Sequence, residues 1–233
     1  MIGILSALPQ EQGSLRHLLQ DTRSMRLAGR EFLVGTCQGR TVVLALSGIG
    51  KVAAATTATV LLERFGVRQV VFTGVAGGIG TGVARGDLVI ARAFAQHDMD
   101  ASPLFPRHEV PLYARVTFET DPYLSQRLLQ GAAVLQREGV TVHQGLIASG
   151  DQFITSHTDC DDLRARLPQV LAVEMEGAAV AQVCHDYAVP FAAMRSISDR
   201  ADDNATHDFL HFLEHVASRY ADMLITHLLH HTT

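Results

Sequence analysis

Short apolar runs bounded by glycine, proline or acidic residues recur along the chain, with stretches of helical spacing between them. Residues 2–8 form the first run, the length of a buried strand. Pro9 follows and suits the first turn of a helix, which is expected to continue to about Leu19 with Leu15, Leu18 and Leu19 inward. Residues 25–34 and 41–46 read as strands joined by turns at Ala28-Gly29 and Gln38-Gly39. SGIGKVAAATTATVLLERFG reads as a helix opened by Gly48 and Gly50, with an apolar face including Val52, Val60 and Leu61, and stopped by Gly66. Residues 69–73 form a continuous apolar strand, and GVAGGIGTG after it is expected to be a tight turn whose N–H groups cradle an anion or a sugar. The spacing is not GxGxxG and GIGK lacks the GxxxxGK[ST] frame, so neither a dinucleotide nor a triphosphate fingerprint is present.

Residues 86–95 form another strand and run into HDMDASPLF. Pro103, Leu104, Phe105 and Pro106 give that loop an apolar tip, fitted either to another subunit or to its own domain. Asp121-Pro122 caps an amphipathic helix over 121–137, and residues 140–149 form a strand leading into GDQFIT. Phe153 stands there on a loop, placed to stack on a planar ring or to join the core. Residues 157–167 read as a short surface helix.

The stretch 171–203, LAVEMEGAAVAQVCHDYAVPFAAMRSISDRADD, carries the densest candidate chemistry. It reads as strand, helix, strand and polar loop. Glu174 and Glu176 fall at the first junction, and Asp199 just beyond the second strand. Acids at strand ends can face a cleft while being rigidly held, which suits general acid or base work; they can equally be helix-start and turn residues. Val180, Val183, Cys184 and Tyr187 follow Glu176 at helical spacing, which turns Glu176 towards the buried stripe. A carboxylate so placed needs donors. Arg195, inside an apolar strand, needs anionic partners, and Glu11, Glu174 or Glu176 can supply them. Glu11 itself lies in a first helical turn, where a glutamate is often only a dipole partner. Phe209, Phe212, Leu213, Val216, Tyr220, Met223, Leu224 and His227 mark a long C-terminal amphipathic helix.

Composition narrows the classes. The 233 residues are 47% apolar and show no internal repeat or linker, so residues 1–233 read as a single α/β domain with a central mixed sheet flanked by helices. A net charge of −5 without a basic block argues against a nucleic-acid surface. No apolar run reaches the ~18–20 residues of a membrane span, and the N-terminus lacks the basic region of a signal peptide. Cys37, Cys160 and Cys184 are too far apart for a CxxC site, which fits a reducing cytoplasm. His227, His230 and His231 read as a solvated terminus rather than a metal site.

The segments IGILSALPQE, SGIGKVAAA, TGVAGG, GDLVIA with HDMD, GLIASGDQFI, AVEMEGAAVAQVC and VPFAAMRSISDRAD, taken in that order, resemble the 5′-methylthioadenosine/S-adenosylhomocysteine nucleosidases. These belong to the purine nucleoside phosphorylase-like superfamily. The resemblance implies the nucleoside phosphorylase fold and hydrolysis of the bond between adenine and a 5′-thio-substituted ribose, with 5′-deoxyadenosine as a further substrate and no cofactor or metal. It implies that Asp199 protonates N7 of adenine and that Glu11 deprotonates the attacking water. Glu176, with the Met175 backbone, would clamp the ribose hydroxyls, and Arg195 would hold Glu11 or Glu174 ionised. Phe153 would stack on adenine, with the Ile154 backbone reading the purine edge. Ile49, Met175 and Phe209 would line the 5′-alkylthio pocket. Ala101, Leu104 and Phe105 would reach into a neighbour's pocket in a homodimer.

The chain departs from the pattern in three places. TGVAGG has Val75 where the family often has serine or threonine, so a side-chain hydroxyl is missing. LPQEQ stands where the family often has MEEE, leaving Glu11 as the one acid of that run. HDMDASPLFPR is more polar and proline-rich than in some relatives, which bears on 5′ specificity. Two other activities fit the same superfamily: hydrolysis of 6-amino-6-deoxyfutalosine, and phosphorolysis. The second expects an arginine in a GDPxR-type motif near the N-terminus, where this chain has ALPQEQ.

Overall fold

The computed structural model describes residues 1–12, 14–200, 212 and 216–231. Its centre is β5 (Gln69–Gly78), buried from Val70 to Gly78. On one edge β5 pairs in parallel with β10 (Phe191–Asp199). The sheet continues from β10 through β6 (Leu88–Gln96) and β8 (Val142–Ser149) to β9 (Val170–Glu174). β9 then returns to pair antiparallel with Gly77 and Gly78 at the far end of β5, so five strands close on themselves. The short β7 (Thr117–Glu119) pairs with β6.

The other edge of β5 is shared. Its first residues, Gln69 to Phe72, pair with β1 (Ile2–Ser6), which leads outward through β4 (Arg40–Leu46) and β3 (Arg30–Cys37) to β2 (Gln20–Leu27). The chain is therefore α/β with a mixed sheet, as its pattern of elements predicts. A parting opens along β5 where β1 has ended and β9 has not yet begun.

Side chains alternate across the sheet. Leu5, Val70 and Phe72 face a core covered by α3 (Lys51–Phe65) and α6 (Gly177–Asp186). Ile2, Ile4 and Val71 face a second core under α4 (Pro122–Arg137) and α7 (Ser218–His231). Asp121 caps α4 by accepting from the Leu124 N–H at 2.8 Å, as its Asp-Pro start predicts. Gly66 ends α3 in the left-handed conformation at φ 62°. Ser156 caps α5 (His157–Arg166).

Several expectations are corrected. The helix expected from Pro9 to Leu19 is two single turns, α1 (Pro9–Gln12) and α2 (Leu15–Leu18), so the helical phase is lost and Leu18 is exposed while Leu15 and Leu19 are buried. Val52 is 77% exposed, because α3 turns Ala54, Ala58 and Leu61 to the core instead. GVAGG is the second half of β5, not a turn. Tyr187 caps the C-terminus of α6 and is exposed. Asp199 is the last residue of β10, reached through an irregularity in register after Ile197. Leu213 and Phe209 lie outside the described residues.

Candidate active site

The parting along β5 opens into a cavity of about 480 Å³. The C-terminal ends of strands surround it, as expected of open α/β sheets. After β1 come Ala7, Leu8 and Glu11; from β5 come Val75, Ala76 and Gly77. From the end of β9 come Glu174, Met175 and Glu176, and from β10 Ser198 and Asp199. Loops add Ile49, Gln152, Phe153 and Ile154.

Glu11 fills the gap that the strands leave. β1 stops at Ser6, so the Val75 N–H has no strand partner on that side and donates to Glu11 Oε1 at 3.0 Å. The N–H groups of Ala7 and Leu8 donate to Oε2 at 2.7 and 2.8 Å. Gly74 makes this approach possible, since a Cβ there would sit 2.8 Å from Glu11 Oε1. Burial raises the Glu11 carboxyl above its ordinary value, against the opposing pull of the backbone donors and of Arg195.

Glu174 is tied from all sides. It accepts from Ser149 Oγ, from the Gly177 N–H at 2.8 Å and from the Glu176 N–H at 3.2 Å. Its Oε2 also pairs with Arg195 Nη2 at 2.9 Å in an interior that leaves both side chains almost no exposure. Of the three anionic partners the sequence offered Arg195, it takes Glu174. Its other bonds go to the Phe72 and Met194 carbonyls, and its guanidinium lies 4.2 Å from the centre of the Phe72 ring. Arg195 does not line the cavity; it stands behind Glu174.

Glu176 is buried, but not by the helical phase the sequence suggested. It is the N-cap of α6, with non-helical backbone angles, and its carboxylate accepts from the Gly50 N–H at 2.8 Å. Burial, and after it the negative charge of Glu174, push its carboxyl up to about 8. Asp199 is buried at the cavity wall, where Ser198 Oγ donates to its Oδ2 at 2.7 Å.

Phe153 is 48% exposed on the cavity rim and does not join the core, with Ile49, also exposed, lining the same cavity. Ala101, Leu104 and Phe105 do not line this chain's own cavity, and Leu104 points into solvent. The sequence points to N–H donors in GVAGGIGTG, the run that holds Val75, but not to the N–H groups of Ala7, Leu8 and Gly50 or to the Ser149 and Ser198 hydroxyls. No side-chain pattern announces a backbone N–H. The one available signal is the glycine spacing: SGIG reads as the opening of a helix, and GVAGGIGTG as a tight turn.

Four carboxylates therefore converge on the cavity, while no lysine or arginine is among its described lining residues. Among the described residues no group of three His, Cys, Asp or Glu side chains is placed to hold a metal ion. The cavity can accept hydrogen bonds from hydroxyls, hold a planar apolar ring at Phe153, and transfer protons.

The phosphorylase superfamily matches residues 1–230. The 5′-methylthioadenosine/S-adenosylhomocysteine nucleosidase of Actinobacillus succinogenes is 39% identical over 96% of each chain. The solved nucleosidase of Neisseria meningitidis, bound to methylthio-immucillin-A, superposes with a TM-score of 0.93 at 34% identity over 99% of each chain. A futalosine hydrolase of Helicobacter pylori superposes with a TM-score of 0.90 at 36% identity, over 97% of this chain and 96% of that one. The chain belongs to the phosphorylase superfamily and, within it, to the 5′-methylthioadenosine/S-adenosylhomocysteine nucleosidase family.

Proposed function

We propose that residues 1–233 form one nucleoside-hydrolase domain that cleaves the N-glycosidic bond of 5′-methylthioadenosine and S-adenosylhomocysteine, and of 5′-deoxyadenosine, releasing adenine. The observation that carries this over phosphorolysis is the lining. Glu11, Glu174, Glu176 and Asp199 face the cavity with no cationic side chain among its described lining residues. Such a wall offers no cation to hold a phosphate and does offer a base for water, which favours water as the nucleophile.

The roles follow from chemistry. Asp199 donates its proton to N7 of adenine as the bond between C1′ and N9 breaks, so the base leaves neutral. Glu11 takes a proton from the water whose oxygen attacks C1′; its raised carboxyl makes it the better base. Glu176 accepts from the 2′ and 3′ hydroxyls, both donors. Phe153 stacks on adenine and the Ile154 backbone meets the purine edge. Ile49 and Met175 shape the 5′ end of the pocket. Arg195 acts through Glu174, whose negative charge it balances. Neither a metal nor a cofactor enters these steps.

A homodimer completes this reading. Leu104 is 85% exposed on the 101–105 loop, and Val52 and Leu112 add further exposed apolar surface. None of the described helices is long and apolar enough to cross a membrane. The three free cysteines are buried, and a cytoplasmic location accords with them.

The test is adenine release from the three nucleosides and from 6-amino-6-deoxyfutalosine, in buffer with and without phosphate. Release without phosphate is expected. Strict dependence on phosphate would overturn the hydrolase reading. Release from the futalosine alone would move the substrate assignment, which the likeness to the Helicobacter pylori hydrolase makes worth including.

A further inference from the structure

GIGK, HDMD and GDQF each place a charged residue beside the cavity without giving it a place in the wall: Lys51, Asp98 and Asp151. The three bind one another. Lys51 Nζ donates to Asp98 Oδ1 at 2.6 Å and to Gln96 Oε1 at 3.0 Å. The second oxygen of Asp98 accepts from the Asp151 N–H at 2.9 Å. The Asp151 carboxylate in turn accepts from the Lys51 N–H at 2.8 Å. The path returns to the residue from which it started, a closed ring of charge-assisted bonds. Gln96 Nε2 ties it to Gln182 of α6 at 2.9 Å.

The ring joins three segments that are far apart in sequence, and two of them lead directly to the site. Gly50, next to Lys51, donates to Glu176. Gln152, Phe153 and Ile154, next to Asp151, line the cavity. Residues 101–105 follow Asp98. Residues 150–154 have neither helix nor strand around Phe153, and Phe153 is half-exposed. The Lys51 and Asp98 side chains keep only 17% and 21% of their exposure, which lifts the pair out of the class of freely solvated ion pairs that contribute little. Burial raises the Asp98 carboxyl, but the Lys51 bond and the Asp151 N–H outweigh it and leave Asp98 below its ordinary value. None of the donors described for Glu11, nor Ser198 at Asp199, belongs to this ring.

We propose that Lys51, Asp98 and Asp151 are positioning residues: a clasp that sets Phe153 and the Gly50 N–H relative to Glu176, and so governs how well the adenine nucleoside binds rather than how fast its bond breaks. This rests on the nucleosidase reading above. A misplaced binding wall weakens ground state and transition state alike, which raises KM and spares kcat.

The experiment compares Lys51→Met, Asp98→Asn, Asp151→Ala, the Lys51→Met/Asp98→Asn double variant and Lys51→Arg with the unaltered chain, using 5′-methylthioadenosine. Each single loss is expected to raise KM by about tenfold with kcat within about threefold. The double variant is expected to be no worse than either single one, since both open the same ring. Lys51→Arg keeps the charge and restores part of the affinity. In the ligand-free protein, amide hydrogen exchange at residues 152–154 is expected to quicken by about tenfold in Lys51→Met while core amides keep their rates. An unchanged KM with unchanged exchange overturns the clasp, as does a fall in kcat at constant KM. If the unaltered chain releases no adenine, the nucleosidase reading fails, and the exchange rates alone then decide whether the clasp orders the loop.

Discussion

The cavity has two walls of different build. One is made of strand ends: Glu11 beyond β1, Val75 on β5, and Asp199 closing β10. The other is made of loops: Ile49, and residues 152–154. On the first wall the polar groups are buried, and Glu11 is fixed by three backbone N–H groups. On the second Ile49 and Phe153 are exposed apolar side chains, and side-chain to backbone bonds hold the loop. The rigid wall carries Glu11, whose proton affinity burial raises against the pull of its fixed donors. In the proposed reading the loop wall carries the groups that recognise a flat ring, which must admit and release it. Glu176 stands between them, an acid of the rigid strand-to-helix junction held by a donor from the Gly50 loop.

The sharpest way to break this comparison is Asp199→Asn. The amide has nearly the shape of the acid but no proton to give to N7. A fall in kcat of about 10²–10⁴ is expected, the usual share of a general acid, while binding of an uncleaved adenine nucleoside analogue, followed by calorimetry, changes little. Near-normal turnover would remove Asp199 from the chemistry and the contrast with it.

Next in size is a stability effect behind the same wall. Arg195→Met leaves Glu174 buried without its cation, and loss of one partner of a buried pair costs about 3–5 kcal/mol. Chemical denaturation measures it. Adding Glu174→Gln to Arg195→Met should recover much of the loss, because the stranded charge goes with it. If the double variant is as unstable as the single one, the Phe72 and Met194 carbonyls and the Phe72 ring, not the ion pair, are what Arg195 holds.

How far these walls could be read from the sequence follows the same division. β1, β5, β9 and β10 announce themselves as apolar runs, and the ends of β9 and β10 locate Glu174, Glu176 and, to within a residue, Asp199. What hides is where strands part. GVAGG has the glycines of a turn, yet here they lie within β5; Gly74 is one because Glu11 must lie against it. The direction of Glu176 also came from the wrong cause. Helical phase gave the buried face, whereas the residue precedes the helix and is turned inward by the Gly50 N–H. Nothing in single positions joins Lys51 to Asp98 and Asp151, because their ring forms only when three crossovers have brought the strand ends together.

Glu176→Gln tests the junction of the walls. Burial, and after it the charge of Glu174, push the Glu176 carboxyl up to about 8, against an ordinary 4.5. The unfolded chain therefore ionises first. The stability this group contributes is fully present below about pH 4.5, and is lost progressively as the pH rises to about 8. Glutamine has no such dependence, so the gap in thermal midpoint between the variant and the unaltered chain should move in the variant's favour from pH 5 to pH 8. Activity should move the other way. Ribose hydroxyls donate to the ionised carboxylate, so KM for the unaltered chain falls as pH rises towards 8, and the glutamine variant loses about 10- to 100-fold in affinity.

The smallest expected effect belongs to the loop wall and separates it most cleanly from the other. Phe153→Ala removes one face of the adenine slot; stacking of a base on an aromatic ring is worth about 1–3 kcal/mol. KM should rise about tenfold while kcat stays within about twofold, because the ring touches neither the water nor N7 and binds ground and transition states alike. The half-exposed ring contributes little to the core, so the unfolding free energy should change by less than about 0.5 kcal/mol. Phe153→Tyr keeps the face and should keep KM. Combined with Lys51→Met, the alanine variant should add little to the rise in KM, since the clasp acts by holding the ring that is no longer there. Full additivity would mean that the clasp serves Gly50 and Glu176 instead of Phe153, and would move the boundary between the two walls to the α3 terminus.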